Sequence, residues 1–209
     1  MLLGPAALLV LLILLTVLLV VVLVVRPSVT AGDGGKVLAF VALFVLPVMD
    51  ALMVAGSHMQ RSKQTSFCLS CHVMTSYGKS LYVDDKSYVP ASHFQNARIS
   101  RDQACYTCHA DYVLYGDLKA KLRGVRHVYV QYLGTIPAKI KLYSPYNNRE
   151  CLHCHAGARS FDEASAHAKT PDMLARIESN QLSCMSQRCH DTIHDIESLE
   201  SAPIWKGAE

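Results

Sequence analysis

The chain has 209 residues, 51% of them apolar, and a formal charge of only +3. So small a charge, with no basic run and no recognised motif, argues against nucleic acid as a partner. The apolar residues crowd into the first ~55 positions, which leaves about 150 more polar residues for one further domain.

Met1 to Val25 carries no charged side chain and is mostly Leu and Val. A bilayer is crossed by about 20 apolar residues in a helix, so helices are predicted over about 3–25 and 37–56. The loop 26–36 holds Pro27, Gly32, Gly34 and Gly35, with Arg26 and Lys36 at its ends. The positive-inside rule places this loop in the cytoplasm, so the chain crosses in, turns and crosses out. A cleaved leader needs a basic stretch ahead of a shorter apolar core; Met1-Leu2-Leu3-Gly4 has none, and retention is expected. The anchor is thus 1–57 and the second domain 58–209. Pro47 removes a backbone donor from the second helix and is expected to kink it. Asp50 lies within the apolar run, where a carboxylate is expensive. It is either a proton-handling group or a hydrated residue at the outer interface. His58 and Met59 read as residues of the membrane surface.

All 8 cysteines then fall into one repeated pattern. It reads Cys68-Leu69-Ser70-Cys71-His72, Cys105-Tyr106-Thr107-Cys108-His109 and Cys151-Leu152-His153-Cys154-His155, and ends with the longer Cys184-Met185-Ser186-Gln187-Arg188-Cys189-His190. In C-x-x-C-H the two thiols form thioethers to a porphyrin and the adjacent His reaches its iron. A disulfide framework does not explain why a His follows every second cysteine, and structural zinc does not need four such pairs. The pattern implies four covalently attached haem c groups and electron transfer. Attachment of this kind takes place outside the cytoplasm, which agrees with the topology deduced from the loop charges. Haems also replace the apolar core that this polar domain lacks, so the domain is not expected to fold without them.

Of the 10 histidines, His72, His109, His155 and His190 complete the motifs. His153, between two cysteines of its own motif, is badly placed to reach the far face of that haem. His194 follows His190 too closely to oppose it on one iron, yet it can reach a neighbouring haem. His93, His127 and His167 lie in the linkers. These four are candidates for the sixth iron positions. Met74, two residues after His72, offers a thioether, which is a good haem ligand. In the long linker from His72 to His93, the acidic pair within Val83-Asp84-Asp85-Lys86 is expected to be a solvated loop.

These residues together resemble the membrane-anchored tetrahaem quinol dehydrogenases of the NapC/NirT/NrfH type. The resemblance rests on an anchor followed by C-x-S-C-H-x-M (Cys68 to Met74), on Ser92-His93 with Asn96, and on the basic stretch Lys119 to His127 around Gly124. It is completed by the third motif and by His190 with His194. It covers about Phe67 to His194 and is closest to the NrfH branch. Together with the two apolar runs, which give a two-helix transmembrane hairpin, it implies a mainly α fold with much irregular structure and a compact tetrahaem cytochrome c domain.

The resemblance also implies roles. Met74 is the proposed ligand of the first haem, and His93, His167 and His194 are the distal ligands of the other three. Where the family commonly has an acid after the glycine, this chain has His127, which either caps the first iron or faces quinol. Lys119, Lys121, His127 and Asp50 are the candidates for the quinol site. The chain departs from the family in four further places: the anchor has two helices where one is usual, one residue is missing between Ser92 and His93, the linker from His72 to His93 is long, and the last motif has a wider spacing. The implied function is electron transfer from membrane quinol to a periplasmic multihaem c-type oxidoreductase or cytochrome, at the bacterial inner membrane. Membrane lipid and further membrane subunits are the other partners considered. Two rival readings are a relay subunit that takes electrons from a protein, and a reductase acting on a small molecule at an open haem.

Overall fold

The computed structural model describes residues 4–137, 140 and 146–208. It divides into two units, one ending at Ser62 and the next beginning at Lys63. Among the described residues every regular element is helical, apart from a single bridge pairing Val83 with Ile204.

In the first unit, α1 spans Pro5–Val25 and has its proline at the start, where no backbone donor is needed. A short 3-10 turn, Pro27–Ala31, leads into α2, Asp33–Arg61. Both helices are long and apolar enough to cross a membrane. α2 is longer at both ends than the 37–56 expected from hydropathy. Its first turn contains Asp33, joined to Lys36 at 2.9 Å, and its last turn contains His58 and Arg61. An acid at the start and bases at the end suit the helix dipole, so the hydrogen-bonding pattern outlasts the apolar run. Pro47 does not end the helix. A π-helical turn over Val41–Val45 precedes it, with the Leu46 N–H donating to the Val41 carbonyl, and the chain then resumes α geometry. Thr16 and Leu23 of α1 and Ala42 and Leu46 of α2 are buried, while most other side chains of the pair are exposed.

The second unit is built from short pieces: α3 Thr65–Leu69, α4 Thr75–Lys79, α5 Val89–Gln95, α6 Ala104–His109, α7 Gly116–Leu133, α8 Arg149–His155, α9 Arg159–Asp162 and α10 Met173–Glu178. Apart from the 18-residue α7, each has 7 residues or fewer. Helices this short are not stable in isolation. Their apolar support is small: Leu81, Phe94 and Ala104 form one cluster, and Val83, Tyr88 and Ala91 another. The C-terminal segment closes over the second cluster. There the Asp84 N–H donates to the Pro203 carbonyl and the Trp205 N–H to the Tyr82 carbonyl, each at 2.7 Å. Asp84, Asp85 and Lys86 are exposed, as a solvated loop requires.

Polar clips hold the remainder together. Asn148 is 1% exposed. Its amide donates to the carbonyls of Ile177 (2.8 Å) and Leu182 (2.6 Å), and its side-chain oxygen accepts from the Cys184 N–H at 2.9 Å. One side chain at the head of α8 thus fixes the start of the fourth cysteine motif beside the third. α7 starts from a tight turn in which Tyr115 has φ 60° and the Gly116 N–H donates to the Val113 carbonyl at 2.8 Å. A Cβ on Gly116 would lie 1.5 Å from the Asp111 carbonyl oxygen, so only glycine fits there.

Candidate haem-binding site

The cysteine motifs use local geometry to gather their ligating atoms. The second and third lie within α6 and α8, where a helical turn puts positions i, i+3 and i+4 on one side. The first begins in α3 and passes into the 3-10 turn His72–Met74. The fourth, with its wider spacing, is not helical; it closes on itself through the His190 N–H, which donates to the Cys184 carbonyl at 3.0 Å. None of the eight cysteines is in a disulfide.

The histidines come together in pairs. His109 and His194 have ring centroids 6.4 Å apart and nearly parallel planes, at 13°. His167 and His190 are 6.3 Å apart, and His93 and His155 are 5.9 Å apart. Each pair joins one motif histidine to one of the other histidines. Two imidazoles bound on opposite sides of one metal, with metal–nitrogen bonds of about 2 Å, have centroids about 6 Å apart. Among the described residues no group of three or more His, Cys, Asp or Glu side chains could hold a metal ion. Haem iron takes four of its bonds from the porphyrin and needs only two protein ligands, so paired imidazoles suit it.

The protonation of these rings follows from their partners. His93 Nδ1 lies 2.8 Å from the Val89 carbonyl, and His167 Nδ1 lies 2.9 Å from the Phe161 carbonyl. A carbonyl can only accept, so both Nδ1 atoms carry the proton and Nε2 keeps its lone pair. His194 Nδ1 lies 2.6 Å from Ser80 Oγ, whose own hydroxyl donates to the Tyr77 carbonyl at 2.6 Å. Ser80 has spent its one proton, so His194 again donates from Nδ1. A backbone or side-chain oxygen behind Nδ1 is the usual second-shell partner of a metal-bound imidazole. Burial, and then the His109 ring, push His194 down to about 4, so it is neutral at physiological pH. Burial followed by His93 also lowers His155.

The other singled-out residues are distributed as follows. His153 stacks on Tyr112 with centroids 3.8 Å apart. Met74 is half-buried in the same short turn as His72. On α7, Lys119 Nζ lies 2.7 Å from Asp111 Oδ2, while Lys121 Nζ stands 4.3 Å from the centre of the Tyr106 ring. Lys121 is also close enough to Cys68 to act on it electrostatically. His127, on the same helix, acts on His109. In the anchor, Asp50 Oδ2 and Thr16 Oγ1 are hydrogen-bonded at 2.8 Å, and Asp50 Oδ1 is buried with no hydrogen-bond partner.

Sequence reasoning missed the residues that brace this arrangement. Asp111 is nearly buried and also binds Arg149 at 2.7 Å, with Arg123 at 3.9 Å. The Lys119 hydrogen bond, with Arg149 and Arg123 nearby, holds its carboxyl below the usual range. Asn148 and Ser80 were also missed. No spacing rule marks such residues, since their partners are distant in sequence.

No curated protein and no solved structure matches the chain. A family model described as the NapC/NirT cytochrome c family, N-terminal region, matches residues 34–198. The match begins in the first turn of α2, leaves α1 outside and takes in every cysteine motif. The family carries covalently bound haem c, transfers electrons and typically oxidises quinol. With its cysteine motifs, its facing imidazoles and a match over most of its length, this chain belongs to the NapC/NirT cytochrome c family.

Proposed function

We propose that the chain oxidises a membrane quinol and passes the electrons through four haem c groups to a periplasmic multihaem partner, as a member of the NrfH branch. Cys68 and Cys71, Cys105 and Cys108, Cys151 and Cys154, and Cys184 and Cys189 hold the four groups. The observation that carries the reading is the set of three imidazole pairs, each with the Nδ1 of its non-motif ring already engaged. His109 with His194, His155 with His93 and His190 with His167 would each hold one iron, and Met74 is the proposed ligand of the first, with His127 the alternative. Bound haem supplies reversible one-electron exchange. The protein sets each potential through ligand identity, burial and hydrogen bonding.

With an imidazole from each side, those three irons would have no open position, so these residues would suit them to relay and not to small-molecule reduction. The quinol end belongs with the first motif. Lys121, which acts electrostatically on Cys68 and stands over the Tyr106 ring, is the lysine these observations favour for quinol. His127 stays a candidate for the same end. The unpartnered oxygen of Asp50 supports a proton-handling role within the bilayer. The two apolar helices support an anchor with the loop 26–36 in the cytoplasm and the haem domain in the periplasm.

The test is reduction of the purified, oxidised full chain in lipid by a soluble quinol analogue, followed at the haem absorbance. Lys121→Ala is expected to slow this step at least about tenfold, equivalent to about 1.4 kcal/mol, while reduction by dithionite stays fast. Full reduction by dithionite with none by quinol analogues would instead favour the relay subunit.

A further inference from the structure

Among the described residues, α7 presents an apolar face that is largely exposed. Leu118, Leu122, Val125, Tyr129 and Tyr132 recur at intervals of three or four residues, so they form one stripe along the helix. Leu122 is 64% exposed, Val125 60% and Tyr132 77%. Ala120, on the opposite side, is partly buried. An 18-residue helix is about 27 Å long, so this is an extended apolar surface and not a scattering of single residues.

We propose that α7 lies flat on an anionic bilayer surface, with this stripe in the boundary between headgroups and acyl chains. Three observations choose lipid as the occupant. First, α7 carries Lys119, Lys121, Arg123 and Arg126 against a single acid, Asp117. A basic, amphipathic helix with an exposed apolar face is the pattern of interfacial binding, and the tyrosines are suited to the headgroup level. Second, Asp117 is paired with Lys63, and Lys63 follows the end of α2 at Arg61 by two positions. Tyr106 adds a hydrogen bond to Asp117 at 2.6 Å. The start of α7 is therefore tied to Lys63, two residues along the chain from the end of α2. Third, a second copy laid on the same stripe would bring two basic helices together, and that repulsion opposes self-pairing. The helix that carries Lys121 and His127 would then have one side in the lipid from which quinol comes.

The haem-loaded full chain is reconstituted in nanodiscs of phosphatidylcholine and phosphatidylglycerol, the latter with a diazirine in its acyl chain. After illumination, adducts are mapped by peptide mass spectrometry. Adducts are expected on α1, on α2 and on the stripe of α7. Leu122→Glu with Tyr129→Glu is expected to lower the α7 adducts at least about tenfold and leave those on α1 and α2 unchanged. Adducts confined to α1 and α2 in the unaltered chain would overturn the proposal. So would a stripe that yields only crosslinks to a second copy. The readout needs no turnover, so it is independent of whether quinol is the electron donor.

Discussion

Three of the motif histidines face a second imidazole, and His72 faces none among the described residues. In each of the three pairs the non-motif ring is held by its Nδ1, through Val89, Phe161 or Ser80. Around His72 the neighbours are of another kind: a thioether two residues on, and beyond Cys68 the ammonium of Lys121. On the proposed reading, the three paired sites pass electrons onward, and the first region is where a substrate would meet the protein. An electron-transfer chain requires both: one end where a two-electron donor meets the protein, and a remainder where nothing but electrons enters.

Withholding haem tests both regions at once and carries the largest expected effect. Chain produced without thioether attachment is expected to lose its folded structure from Lys63 onward, seen as rapid proteolysis there, while α1 and α2 stay protected in lipid. The buried apolar clusters are too small to hold helices of seven residues or fewer. A protease-resistant haem-free domain would contradict this. Next in size is the contrast between two ligand variants. His194→Ala is expected to turn one low-spin haem high-spin and slow electron exit at least about tenfold. Met74→Ala is expected to change only the first haem, leaving electron exchange among the other three intact. Indistinguishable spectra from the two variants would erase the distinction between the regions.

Smaller effects bear on the braces. Asn148→Ala removes three hydrogen bonds from a buried side chain that joins the third and fourth motifs, and is expected to cost about 2–3 kcal/mol in denaturant unfolding. Asp111→Asn loosens α7 from the body of the domain and is expected to cost about 1 kcal/mol, because its cations are half exposed. The carboxyl of Asp111 is held below its ordinary value of about 3.9. Its contribution is therefore complete above that pH and is lost as the pH falls through the lower, folded-state value. The unaltered protein should weaken on acidification from about pH 4 downward more steeply than the Asn variant.

The cysteine motifs and the anchor were legible because their chemistry is written in adjacent residues. Thioether attachment needs a fixed spacing, and a bilayer needs a long apolar run. His93, His167 and His194 could be singled out by counting and by resemblance, yet which motif histidine each would face depends on how the linkers fold. The second helix proved longer than its apolar run because capping charges, which hydropathy ignores, extend it. Pro47 was absorbed by a π-turn, an outcome decided by the hydrogen bonding of the preceding turn and not by the proline alone. Asn148 and Asp111 act on residues about 30 to 40 positions away, and no local pattern announces such contacts.

The most direct measurement is the number of haems in the purified full chain and the ligation of each. Intact mass with pyridine haemochrome absorbance gives the first, and low-temperature EPR with near-infrared magnetic circular dichroism gives the second. The account predicts four covalent haems, three with the signature of two imidazoles and one without it. Fewer than four, or four that are spectroscopically alike, would contradict it.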